Sequence, residues 1–352
     1  MRSIEVDLAV IRSNYQLLKN NFAPAKVMAV VKANAYGHGM LQVAKALESA
    51  GADALGVADV QEAIALRMSG INSRLVCWIV LPEDLELAAD HDIEVGISTF
   101  EQLAAATENN KLHIKLDTGL GRNGFSILEL DQLIEQLAGR ELAGIFSHLS
   151  NTSEEEDRKQ KEVFDQAVEK IRRSGVLIGE RHLAASAASL SYPDFHYEMV
   201  RCGIAVYGLN PFEDKTLPLD LQPAMRLVAK LVNVKKVAAG QGVSYGYRYV
   251  TKQATTLGLV PVGYGEGMPR ISVGHQVLIA GKLYPVVGRV AMDQFMVDLQ
   301  GDEPVIGEDV VIFGSAARGE PTAEQLGESA QSINYEIVTR IGGRANRVYL
   351  NR

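Results

Sequence analysis

Short apolar runs and helical runs alternate with a regular beat through the first two-thirds of the sequence. The apolar runs fall at residues 27–31, 54–58, 75–80, 93–97, 112–117, 142–148, 182–186 and 198–201, and most are followed by a helical pattern. A helical run from Val6 to Asn20, with Leu8, Ile11, Tyr15 and Leu18 on one face, precedes them. Repeated strand–helix units require parallel strands joined by crossover helices, and eight such units close into a (β/α)8 barrel. An open doubly wound sheet is the competing arrangement.

After Pro211 and a stretch around residues 216–220 the texture changes. Helical periods give way to glycine-punctuated, β-branched runs at 227–237, 255–262, 276–280, 284–290, 295–299 and 310–313. The chain therefore divides into an α/β barrel over residues 1–221 and an all-β domain over residues 222–352. With 47% apolar and 22% charged residues, 352 residues can bury a large core. A formal charge of -8 argues against nucleic acid, which needs a basic face. The two cysteines, Cys77 and Cys202, sit in apolar runs as buried thiols, and no Asp/Glu/His cluster has metal-ligand spacing. The N-terminus has no signal-peptide core and no run approaches a membrane span, so a cytoplasmic protein without membrane contact is expected.

A barrel places catalytic groups at the C-terminal ends of several strands. Here those ends carry Lys32, Lys115 with Asp117, His148, Ser186 and Arg201. One polar strand end can simply meet solvent; five together point to a shared site. In the fifth run, His113, Lys115 and Asp117 alternate with Leu112, Ile114 and Leu116, so the polar face points into the barrel. A lysine at the mouth of a buried strand is partly desolvated, which lowers its pKa and makes the amine a nucleophile for Schiff-base chemistry. Residues 36–39 read as a polar loop before a helix that starts near Met40. Residues 118–124 are glycine-rich but lack dinucleotide spacing, and residues 154–159 read as the solvated acidic first turn of a helix behind Asn151, Thr152 and Ser153.

Five segments together resemble the alanine racemase family of fold-type III pyridoxal-phosphate enzymes. They are residues 31–39 (VKANAYGHG), 115–122 (KLDTGLGR), 243–246 (VSYG), the pair Gly263-Tyr264, and residues 288–294 (GRVAMDQ). The resemblance covers essentially the whole chain in the same order. It implies a barrel followed by a β domain, a head-to-tail homodimer, and racemisation of alanine with pyridoxal 5'-phosphate, supplying D-alanine for peptidoglycan. Lys32 would bind the cofactor covalently and act as one acid/base. Tyr245, from the other subunit, would act as the second on the opposite face, because moving a proton between two faces needs two bases.

By the same resemblance, Arg201 would hydrogen-bond the cofactor's ring nitrogen and keep it unprotonated, with His182 holding Arg201. His148 would hydrogen-bond Tyr245. Tyr36, Ser186 and the backbone of Gly203 and Ile204 would grip the phosphate. Arg122 would contact the ring oxygen and the substrate carboxylate, while Met292, Asp293 and Tyr264 from the partner would form the substrate pocket. Lys115 would carry a carbamyl group that orients Arg122.

Three positions depart from the family pattern: Ala185 where relatives often have asparagine, Gly265-Glu266-Gly267 after the pocket tyrosine, and Gly343 where some relatives have a phosphate-binding tyrosine. Two alternatives stand beside alanine racemisation. One is a serine or broader-specificity racemase or another enzyme of the group, and the other a non-catalytic pyridoxal-phosphate carrier. The carriers lack a second β domain.

Overall fold

The computed structural model describes residues 1–212, 216–272 and 274–351. Eight parallel strands form the barrel in the order Lys26–Val30, Ala54–Asp59, Leu75–Ile79, Ile93–Ile97, Leu112–Asp117, Glu141–Phe146, Leu177–His182 and Met199–Cys202. The last pairs with the first in parallel register, Val200 opposite Val27. The remaining seam, between the seventh and eighth strands, closes beyond the end of the seventh. There Ala185 bridges Arg201, and the Arg201 amide donates to the Ala184 carbonyl at 2.9 Å. Seven of the eight runs coincide with the strands to within one or two residues. The seventh strand lies at Leu177–His182, upstream of the expected 182–186, and Ser186 instead opens the short helix Ser186–Ser191. The expected run was the small-residue stretch leaving the barrel; the true strand carries Ile178, Glu180 and His182 on its covered face, with exposed Leu177 and Gly179 between, and is masked by its polar residues.

The first strand, Arg2–Asp7, belongs to the other domain. It runs antiparallel to Met225–Lys230 and parallel to Asn346–Leu350. These strands sit at one end of a nine-stranded sheet that continues through Asp309–Phe313, Gln276–Ile279, Lys282–Val287, Phe295–Asp298, Thr255–Val260 and Asn233–Val237. Asp7 ends the strand and caps the following helix, Leu8–Phe22, accepting from the Ala9 and Val10 amides. Two short helices, Ala323–Ser329 and Asn334–Arg340, pack beside this sheet in a stretch that reads as β from sequence. The long helix Glu154–Arg173 has the expected serine cap, Ser153, and carries acids in its first turn and Lys170, Arg172 and Arg173 in its last, matching the helix dipole. Among the described residues no helix is long and apolar enough to cross a membrane.

Candidate active site

A cavity of about 1130 Å3 opens at the C-terminal end of the barrel. Lys32, Tyr36, Lys115, Arg122, His148, Ser186, Arg201, Gly203 and Ile204, drawn from distant parts of the chain, all line it. Lys32 stands where the first strand ends. The four residues after it, Ala33 to Tyr36, have φ between 51° and 55°, so a left-handed helical turn leads into the loop expected at residues 36–39. For L-residues that conformation costs about 1–2 kcal/mol each, and such strain gathers at functional sites only where neighbours impose it. The neighbours are on hand. Glu62 accepts from the Ala33 amide at 2.7 Å, the His38 ring donates to the Ala35 and Tyr36 carbonyls at 3.0 and 2.9 Å, and Arg347 donates to the Gly37 carbonyl at 2.7 Å.

The amine of Lys32 lies 5.9 Å from the ring centre of Trp78. Burial, then the charge of Arg122, lowers its pKa, with Glu62 opposing. Lys115 is pushed down to about 8 by burial and by the charges of Arg122 and Arg201. Its amine hydrogen-bonds Asn123, in the loop that carries Arg122. Asp117 shapes that loop by accepting from the Gly119 and Gly121 amides at 3.0 and 3.1 Å. Arg201 is buried at the end of the eighth strand. It donates to His182 Nδ1 at 3.0 Å, to His148 Nδ1 at 3.2 Å, and to the Ser147 and Leu183 carbonyls at 2.7 and 3.0 Å. Burial, then Arg122, pushes the guanidinium down to about 9, which leaves it charged at neutral pH. Burial and Arg201 hold His148 and His182 well below the ordinary imidazole range, so both rings are neutral.

Near Lys32 the cavity wall is shaped to take an anion. The Ser186 hydroxyl oxygen accepts from the Gly203 and Ala205 amides at 3.0 and 3.4 Å, and its own proton is left for a ligand. A Cβ on Gly203 would sit 2.3 Å from the Tyr36 hydroxyl, so only glycine lets backbone and phenol meet there. Tyr335, on the helix Asn334–Arg340, also lines the cavity, with its ring 6.2 Å from that of Tyr36. Sequence reasoning missed it because one aromatic in the first turn of a short helix leaves no local pattern. Gly343 lies elsewhere, its α-carbon packed against the Gly265 carbonyl. The acidic turn after Ser153 is solvated except for Asp157, which is buried, lines the cavity and accepts from the Asn151 amide at 3.1 Å.

Tyr245, Tyr264, Met292 and Asp293 do not line this cavity. Tyr245 is 68% exposed on a turn between the strands Gly242–Val243 and Tyr249–Val250, and Tyr264 and Met292 are 41% and 55% exposed. Short contacts gather their stretches into one surface. Ser244 Oγ donates to the Arg289 carbonyl at 2.6 Å, the Tyr264 amide donates to the Ala291 carbonyl at 3.1 Å, and the Gly265 amide to the Met292 carbonyl at 2.8 Å. Asp293 pairs with Arg344, which also holds the buried Glu266.

Comparison with known proteins covers both domains. Residues 6–211 match the family model "Alanine racemase, N-terminal domain" and residues 224–349 match "Alanine racemase, C-terminal domain". The chain is 42% identical over 362 residues to a protein named alanine racemase from Thermobifida fusca, covering 98% of this chain and 96% of that one. It is equally similar, 42% over 365 residues, to the one from Beutenbergia cavernae, with 98% and 97% covered. Among solved structures, the alanine racemase of Streptomyces lavendulae superposes with a TM-score of 0.95 at 41% identity, over 100% of this chain and 97% of that one. The Bacillus anthracis enzyme follows at 0.92 and 34%, over 100% and 95%. With both halves matched and the barrel mouth built as described, the chain belongs to the alanine racemase family.

Proposed function

We propose that this protein interconverts L-alanine and D-alanine with pyridoxal 5'-phosphate, as a homodimer whose two sites each draw on both subunits. The observation that carries the reading is a desolvated lysine amine and a buried, charged arginine facing one cavity with an anion cradle beside them. Those residues fit the cofactor. Lys32 would hold its aldehyde, Arg201 would donate to its ring nitrogen, and Ser186, Tyr36, Tyr335 and the Gly203 and Ile204 backbone, which all line the cavity, would hold its phosphate. Tyr335 thereby supplies the tyrosine contact absent at Gly343. Bound there, the cofactor supplies an electron sink for the charge left on the α-carbon when its proton departs.

The remaining steps belong to the protein's own groups. Arg122 pairs with the substrate carboxylate, and a carbamylated Lys115 orients it. Lys32 moves the proton on one face of the α-carbon, and the partner subunit's Tyr245 moves it on the other. His148 supports that phenol with a defined hydrogen. Its Nδ1 accepts from Arg201, so its proton sits on Nε2, free to donate to the phenolate oxygen of the partner's Tyr245. The division at residue 221 then has a purpose: the barrel holds the cofactor, and the β domain delivers Tyr245, Tyr264, Met292 and Asp293 to the neighbour. Their shared exposed surface supports this. The D-alanine formed serves peptidoglycan synthesis in the cytoplasm.

The test is an absorption spectrum of the purified protein followed by chiral analysis of products from L-alanine and L-serine. A visible band lost in Lys32→Ala, with D-alanine as the main product, is the expected result. A band without amino-acid turnover identifies a carrier instead, and equal turnover of serine identifies a broader racemase.

A further inference from the structure

The interior of a (β/α)8 barrel is ordinarily filled by layers of branched apolar side chains. Here a line of buried polar groups crosses it from the mouth toward the opposite end. Arg201 donates to His182 Nδ1 at 3.0 Å, His182 Nε2 lies 2.9 Å from His113 Nδ1, and His113 Nε2 lies 2.7 Å from Glu94 Oε2. Glu94 is also gripped by Arg74 through two contacts of 2.6 and 2.7 Å. Arg74 also pairs with Glu180, which holds Lys26 at 2.6 Å. The strands at 93–97, 112–117, 177–182 and 199–202 supply the first four members. Gly144, on the strand between His113 and His182, leaves the passage open, since a Cβ there would fall 2.4 Å from His113 Nδ1.

The hydrogens in this line can point only one way. A guanidinium donates and never accepts, so His182 Nδ1 is an acceptor and its proton is on Nε2. That proton is given to His113 Nδ1, which places the His113 proton on Nε2, aimed at the carboxylate. Arg201 otherwise stands among like charges. Lys32 and Arg122, and Lys115 when it carries no carbamyl group, face it across the cavity, His148 and His182 are neutral, and Cys202 adjoins it. Among the described residues no carboxylate hydrogen-bonds it directly. Fold stability alone does not require such a line, because replacing a buried ionic group with apolar side chains is often neutral or stabilising by about 1–4 kcal/mol.

We propose that Glu94, acting through His113 and His182, is the remote anion that fixes the orientation and keeps the positive charge of Arg201. Glu94, His113 and Arg74 are positioning residues that touch neither cofactor nor substrate. The proposal rests on the reading of Arg201 as the cofactor's ring-nitrogen partner, and it deepens that reading. Hydrogen bonds in series polarise one another, so a carboxylate two imidazoles away still acts on the guanidinium. Burial pulls the Glu94 carboxyl up, yet the hydrogen bonds from His113 and Arg74 hold it at about 2, so the anion persists throughout the working range.

Two measurements decide it. In full-length protein labelled with 15N-histidine, with and without pyridoxal phosphate, His113 and His182 should each carry their proton on Nε2 at the pH of the activity assay. His113→Gln and His182→Gln assign the signals. A proton on Nδ1, or a doubly protonated ring, overturns the proposal. In Glu94→Gln the side chain still accepts from His113 but the charge is gone. The alkaline limb of the kcat–pH profile should then move down by about one pH unit, with KM for alanine changed by less than about twofold. A variant that loses only thermal stability and keeps the wild-type limb overturns it too. If Glu94→Gln fails to fold, the imidazole protons still decide. If the wild-type protein has no racemase activity, the functional reading fails, while the proton positions test the relay independently.

Discussion

Lys115 illustrates how a single group ties charge to stability. Its folded pKa of about 8 lies below the ordinary 10.5 of a lysine, chiefly through burial. Between those values the unfolded chain binds more protons, so stability from this group rises with pH across that window. Below it both states are protonated and the buried cation costs its full penalty. Lys115→Met should therefore raise the Tm at pH 7, by an amount that shrinks toward pH 10, read by scanning calorimetry without added bicarbonate. A second expectation concerns Tyr245. On the proposed two-base reading, Tyr245→Phe takes away the proton carrier on one face only, so the direction begun by the phenol should fall by about 100-fold or more. Loss of the substrate α-deuterium in each direction measures it, and equal, undiminished rates would remove the tyrosine from the chemistry.

Legibility also differed residue by residue. Lys32, Lys115, His148 and Arg201 announce themselves only as a set, because one polar strand end can meet solvent but several at the same end of a barrel are costly unless they share a site. The inward aim of His113 follows from alternation alone, and the structure buries it against Glu94. Glu94 itself was available as an acid between Ile93 and Val95, but one polar residue in a five-residue run carries little weight. Tyr335 had no signal, since its importance comes from a fold contact with Tyr36 across the whole chain length.

At the scale of elements, the turn after the first barrel strand carries the most consequence. Its left-handed course was invisible in the sequence, because alanine, asparagine and tyrosine do not advertise positive φ as glycine does. Gly37, which closes the turn at φ 80°, lies so near the helix Asn334–Arg340 that a Cβ would fall 2.1 Å from the Val338 carbonyl. Gly37→Ala combines that clash with an unfavourable φ and should cost about 2–3 kcal/mol. The loss would be read as a lower urea midpoint, together with faster release of pyridoxal phosphate. The strand Arg2–Asp7 escaped the sequence reading for a different reason. Six residues with alternating burial look like a tail until strands from two distant stretches appear beside them.

For the whole molecule, the proposed sharing of sites between two subunits makes a quantitative expectation. Mixing Lys32→Ala and Tyr245→Phe protomers, each poorly active alone, gives mixed dimers in which one of the two sites is intact. If half the dimers are mixed, activity should return to about a quarter of wild type. No recovery on subunit exchange, followed by D-alanine production, would place Tyr245 outside the neighbour's site. The change of texture after Pro211, on which the expected division at residue 221 rests, is readable because the repeat period itself alters there. The pairing of the two ends of the chain in one sheet is not, since it depends on partners more than two hundred residues apart.

The clamp on the lysine turn has a temporal side. Arg347 and the carbonyl of Val338 bear on Gly37, and a Cβ on Gly39 would fall 1.9 Å from the hydroxyl of Tyr349, so a stretch made long after the barrel bears on the first part of its mouth. A nascent chain that has finished all eight barrel strands still lacks the braces for that turn. Competence therefore waits until residues 338–349 are made, and a chain cut short of them leaves a barrel whose amine has no fixed address.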